Sequence, residues 1–127
     1  MKQEEDGIKY FWDSYVIIEL GKSNPNYEKY IQEPVLFTIF NLAEIYWNLL
    51  NELDEKEANN LYERYSPCVV NISDDILKEA IKFRKEHKKK DLSYADCLGY
   101  IIAEDLGVKF LTGDNQFRVL KNVEFVK

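Results

Sequence analysis

Short apolar runs of strand type alternate along this chain with amphipathic helical stretches, and that alternation admits few folds. Residues 8–12, 35–38, 68–72, 108–111 and 123–126 have the length and the β-branched or aromatic content of strands. Between them, Asp13-Ser14 offers helix-capping chemistry ahead of Val16, Ile17, Ile18 and Leu20, with Gly21 as a stop. Asn24-Pro25 opens a short helical turn that ends at Glu33-Pro34. Residues 41–53 place apolar side chains at 42, 45, 46, 49, 50 and 53, the stripe of an amphipathic helix. Asp54-x-x-Glu57 opens a further helix to about Tyr65, Ser73 another, and Ser93 a sixth that stops at Gly107. Strands joined by helical crossovers run parallel. The predicted architecture is therefore α/β, a parallel sheet of four to five strands flanked by helices on both faces. The 127 residues suit one domain spanning 1–127, with one core.

Charge narrows the function. Seventeen basic against twenty-three acidic residues leave a net charge of −6, so the surface as a whole lacks the electropositive footprint of an ordinary nucleic-acid binder. Contact with RNA or DNA then requires a local offset, either a cation held by clustered carboxylates or a basic partner. Cys68 and Cys97 read as reduced, small core residues. No apolar run is long enough to cross a bilayer, and the opening MKQEEDG lacks the basic start and apolar stretch of a signal peptide. The expectation is a cytoplasmic protein with no membrane contact.

Four acids stand where open parallel sheets collect functional groups, beyond the carboxyl ends of the strands. Asp13 directly follows the first strand, and Asp114 follows the fourth in Leu111-Thr112-Gly113-Asp114. In a doubly wound order those two strands are neighbours. Glu44 and Asp96 fall in the first turns of helices that begin at the same end of the sheet, so all four carboxylates are placed around one cleft. Each also has a plainer reading. Glu44 follows Asn41 by three and Asp96 follows Ser93 by three, as in capping boxes; Asp13 suits an N-cap, and Asp114-Asn115 a turn. The readings are compatible, since a capping carboxylate has a second oxygen. A pair of carboxylates at about 4 Å repels by roughly 4 kcal/mol at an effective dielectric near 20. A cluster must take up protons or bind a cation. Oxygen donors without a nearby His or Cys favour Mg²⁺ or Mn²⁺, and such ions suit phosphodiester hydrolysis.

The series Asp13 … Asn41-Leu-Ala-Glu44 … Tyr94-Ala-Asp96-Cys-Leu … Leu111-Thr-Gly-Asp114-Asn-Gln-Phe117 resembles the PIN-domain family, especially the VapC-like toxin ribonucleases, over nearly the whole chain. The resemblance implies a Mg²⁺- or Mn²⁺-dependent endoribonuclease that leaves a 5′-phosphate and a 3′-hydroxyl. It implies that Asp13, Glu44, Asp96 and Asp114 are the catalytic and metal-binding acids, supported by Ser14, Asn41 and Thr112 through hydrogen bonds. It also implies an RNA substrate, a cognate antitoxin and a homodimer. Tyr15, Asn41 and Gln116 depart from the residues common in that family.

The basic run 84–90 reads first as cations complementing a helix C-terminus; Arg84, Lys88 and Lys89 are its candidate RNA contacts. His87 reads as a surface residue of that run. Tyr46, Trp47, Leu49 and Leu50, with Tyr62 and Tyr65, read as core, with a partner-binding or self-association surface as the alternative. An RNA-processing nuclease outside a toxin pair and a non-catalytic metal- or protein-binding module share the same residue pattern. A haloacid dehalogenase-type phosphatase is disfavoured by Tyr15 in place of a second Asp, and a receiver domain by Asn71-Ile72-Ser73 after the third strand.

Overall fold

The structure is a computed structural model that describes residues 7–127; the leaderless start read from the sequence lies, for residues 1–6, outside the described residues. Among the described residues three parallel strands form the sheet in the order β1 (Tyr10–Trp12), β2 (Lys109–Thr112), β3 (Val123–Phe125). Trp12 pairs with Leu111 and Thr112 with Phe125, so the first and fourth predicted strands are indeed neighbours. The segments expected as strands at 35–38 and 68–72 continue the sheet beyond β1 only as one parallel bridge, Phe37 to Val69. Trp12 N donates to Leu36 O at 3.0 Å, and Val70 N to Phe37 O at 2.8 Å. Their brevity has a local cause. Pro34 and Pro67 carry no N–H for a ladder, Ser66–Cys68 coils into a 3-10 turn, and Thr38 already caps the next helix.

Among the described residues five α-helices flank the sheet: α1 (Ser14–Gly21), α2 (Ile39–Glu52), α3 (Glu55–Tyr65), α4 (Asp74–Glu86) and α5 (Tyr94–Leu106). α2 begins at Ile39, two residues before the apolar periodicity that starts at Asn41. The N-cap is Thr38, whose Oγ1 accepts from the Phe40 and Asn41 amides, while Asn41 Oδ1 accepts from Thr38 N at 2.9 Å. The capping-box acceptor is thus Asn41, and Glu44 is not part of the cap. Asp54 and Ser73 cap α3 and α4, as their sequence pattern predicts. The short turn after Asn24 is a 3-10 helix, Pro25–Tyr30.

The core is built on aromatic rings where α5 crosses β1 and β2. Tyr100 stacks on Phe83 at 4.9 Å, and Phe110 meets Phe117 edge-on at 5.0 Å. Each large apolar side chain buried here contributes about 1.5–3 kcal/mol. Gly99 lets the helix come this close: a Cβ there would stand 2.7 Å from Phe110 Cε1. Tight docking of α5 fixes where its N-terminal turn, and hence Asp96, sits above the sheet. Cys97 is buried and Cys68 partly buried, both free. Among the described residues no helix is long and apolar enough to cross a membrane.

Candidate active site

The carboxyl ends of β1 and β2 open into a cleft of about 670 Å³ whose lining includes Asp13, Glu44, Asp96 and Asp114. Four separate segments deliver them. Asp13 leaves β1 and stands at the N-cap position of α1, yet its side chain caps nothing. Instead Oδ2 accepts the Thr112 hydroxyl at 2.7 Å, across ninety-nine residues of sequence. Thr112 is fully buried at the end of β2, and its Oγ1 also accepts from Asp114 N at 3.0 Å. One hydroxyl therefore ties the first acid to the last.

Asp96 completes the predicted capping box with Ser93: Ser93 N donates to its Oδ2 at 3.0 Å, and Asp96 N donates to Ser93 Oγ at 3.0 Å. Asp114 Oδ1 accepts from Gln116 N at 2.9 Å, so the turn reading also holds. Glu44, on the exposed face of α2, accepts a hydrogen bond from the buried Ser14 hydroxyl, which in turn accepts from Asn41 Nδ2 at 3.3 Å. The chain Asn41–Ser14–Glu44 joins α2 to α1. Each of the four carboxylates thus has one oxygen held by a protein donor, and among the described residues no donor meets the second.

Electrostatics follow from this crowding. Burial raises the Asp13 carboxyl to about 7; the charge of Asp96 adds to the rise, the Thr112 hydrogen bond opposes it, and Glu44 and Asp114 add smaller increments. Asp96 is pushed up to about 6, again mainly by burial, against hydrogen bonds from Ser93 and with Asp114 and Glu44 adding. The acids therefore feel one another, as carboxylates gathered around one cleft must. Among the described residues no three His, Cys, Asp or Glu side chains are already drawn into a finished metal cage. The donor set nonetheless fits a hard cation: all oxygen, with neither His nor Cys among the lining residues.

The basic run divides. Arg84, on α4, reaches the cleft; its Nε donates to Leu92 O at 3.0 Å and its guanidinium lies 4.6 Å from the Tyr94 ring. Lys88 and Lys89 are exposed beyond the end of α4 and are not among the lining residues. His87 is half-buried on Phe83 at 4.2 Å rather than free at the surface. The sequence reading missed Lys127, which lines the cleft from beyond β3; Trp47, read as core, instead stands 69% exposed at the edge of the cleft. Charge or periodicity alone carried no signal for Lys127. Tyr46 and Tyr62 meet edge-on at 5.3 Å and line a second groove of about 610 Å³ with Ile39, Ala43, Asn59 and Glu63.

A parallel sheet with acids gathered past its carboxyl ends defines the class, and comparison with known proteins specifies it. The PIN domain family matches residues 10–123. The chain belongs to the PIN-domain family. Among solved structures it is similar to VapC20 of Mycobacterium tuberculosis, described as a sarcin-ricin loop cleaving toxin, with a TM-score of 0.74 at 17% identity over 94% of this chain and 100% of that one. It is similar to a toxin-antitoxin complex from Klebsiella pneumoniae, with a TM-score of 0.73 at 16% identity over 91% of this chain and 96% of the other. VapBC-1 from nontypeable Haemophilus influenzae gives a TM-score of 0.68 at 17% identity, covering 93% and 96%. Among curated proteins there is no significant match.

Proposed function

We propose that this protein is a Mg²⁺- or Mn²⁺-dependent endoribonuclease, the toxin of a toxin–antitoxin pair acting in the cytoplasm. The observation that carries the reading is the four-segment convergence of carboxylates on one cleft, each anchored through one oxygen with a second to spare. Asp13, Glu44, Asp96 and Asp114 would hold the ion directly or through water. When bound, the ion supplies an acidified water and neutralises charge on the phosphodiester. The chain's own groups do the rest. Thr112 orients Asp13 and the Asp114 loop, and Ser14 and Asn41 fix Glu44, so the acids keep their places as charge moves. A carboxylate oxygen with no protein donor is free to accept the proton of the attacking water.

An antitoxin partner is supported by relatives solved as toxin-antitoxin complexes. On this chain the groove between α2 and α3 offers an apolar bed for a partner segment. A homodimer is part of the same proposal. The test is cleavage of single-stranded RNA with Mg²⁺ or Mn²⁺, with and without chelator, by the wild type and by Asp13→Asn and Asp96→Asn. Metal-dependent cleavage lost in both variants, with circular dichroism unchanged, is the expected result. Cleavage that persists in both, or in chelator, refutes the assignment.

A further inference from the structure

The geometry points to Lys127 as a contact for a phosphate of the bound RNA strand, beside the carboxylates; the inference rests on the nuclease reading. The cleft is lined by five carboxylates, Asp91 completing the set, against Arg84 and Lys127. A polyanion entering such a cleft is repelled everywhere except beside a cation, and a resident metal ion serves only the phosphate it touches. The position of Lys127 is built. Val126 N donates to Thr112 O at 2.9 Å, and the Tyr27 hydroxyl donates to Val126 O at 2.8 Å. Asn26 Nδ2 donates to Lys127 O at 2.6 Å. This segment presses directly onto the Thr112–Asp114 loop because residue 113 is glycine: a Cβ there would stand 2.5 Å from Val126 O.

The ammonium is held as well as the backbone. Its Nζ donates to Gly113 O at 3.1 Å and lies 5.4 Å from the centre of the Tyr15 ring. Gly113 immediately precedes Asp114, and Tyr15 is two residues past Asp13, so the cation is anchored to both loops that carry the proposed ligands. A carbonyl and a ring face occupy only part of an ammonium with three N–H donors. A lysine already held in place loses less freedom on meeting a phosphate than a free one does.

Steady-state cleavage of a labelled single-stranded RNA of mixed sequence in Mn²⁺ tests this, with Lys127→Gln and Lys127→Arg beside the wild type. For the Gln variant KM should rise about three- to ten-fold, the range of one charged contact at a part-exposed position. Its kcat should stay within about two-fold, and the slope of log kcat/KM against log salt should flatten by about 0.7, the value for one phosphate on a single strand. Arg should restore both, with thermal unfolding unchanged throughout. An unmoved KM and salt slope in the Gln variant overturns the proposal. So does a joint fall of kcat and melting temperature that Arg does not rescue, which marks a purely structural strap. A wild type that cleaves nothing removes the nuclease reading instead. Lys127 is then judged by fluorescence anisotropy with the same RNA, where equal binding by the wild type and the Gln variant, or none by either, overturns it.

Discussion

The Thr112 hydroxyl donates to the Asp13 carboxylate at 2.7 Å, fully buried, and this bond joins the ends of two neighbouring parallel strands. It opposes the rise that burial imposes on the Asp13 pKa, so it helps keep that carboxylate available in its charged form. Thr112→Val keeps the shape and removes the bond. The loss of a hydrogen bond to a buried charged group is expected to destabilise the chain by about 1–3 kcal/mol. Affinity for Mn²⁺ should fall roughly 10- to 100-fold, as for other groups that orient a ligand. Urea unfolding and calorimetric metal titration check the two numbers. A variant as stable and as tight as the wild type would remove Thr112 from its role.

The pH dependence of metal-free stability has a definite sign. Asp13 and Asp96 titrate in the native state near 7 and 6, above the ordinary 3.8. Below the ordinary value both carboxyls are protonated in either state and exact no penalty. As pH rises from about 4 to about 7 the unfolded chain ionises freely while the native state keeps its protons, so stability falls. The melting temperature without metal should therefore drop across that window, and the drop should shrink in Asp13→Asn. Mg²⁺ or Mn²⁺ should recover it at pH 7 and above, since binding to the native state alone is stabilising. A pH profile identical in the wild type and Asp13→Asn contradicts the electrostatic account.

Glu44 is the most exposed of the four acids and owes its orientation to Ser14, which itself accepts from Asn41 at 3.3 Å. Ser14→Ala is expected to lower metal-dependent cleavage by about ten-fold or more through loss of that orienting bond. Asn41→Ala should do the same and also weaken the α2 cap, by about 1 kcal/mol. Activity against metal concentration, read with thermal unfolding, separates the two effects: Ser14→Ala moves mainly the first, Asn41→Ala both.

Gly99→Ala tests whether the docking of α5 positions the cleft. A Cβ would meet Phe110 Cε1 at 2.7 Å and Phe11 Cε1 at 3.4 Å, and the Phe110 ring is held by Tyr100 and Phe117. Overpacking costs about 1–3 kcal/mol. The gain in helix propensity is about 0.5–1 kcal/mol, so the net effect is expected to be destabilising. A drop in the denaturant midpoint accompanied by weaker metal binding supports the coupling of α5 to Asp96; a midpoint at or above that of the wild type refutes the steric argument.

Much of this molecule was legible in its sequence, because the chemistry of helix starts, strand runs and turns acts over a few residues. Ser93-x-x-Asp96, Asp54-x-x-Glu57 and the stop at Gly107 are where that chemistry places them. The order and context of Asp13, Glu44, Asp96 and Asp114 brought all four to one cleft, since a parallel sheet puts every strand's carboxyl end on one side. What lay beyond reach depended on distances no local pattern encodes. Thr38 rather than Asn41 caps α2, and the strands at 35–38 and 68–72 shrank to one bridge between prolines. Register across β1 and β2 alone sets Thr112 against Asp13, and the packing of the segment after β3 on Gly113 alone brings Lys127 to the acids. Capping and periodicity are near-neighbour effects, whereas the hydrogen bonds and charges that shape the cleft act between residues that meet only when the sheet is assembled.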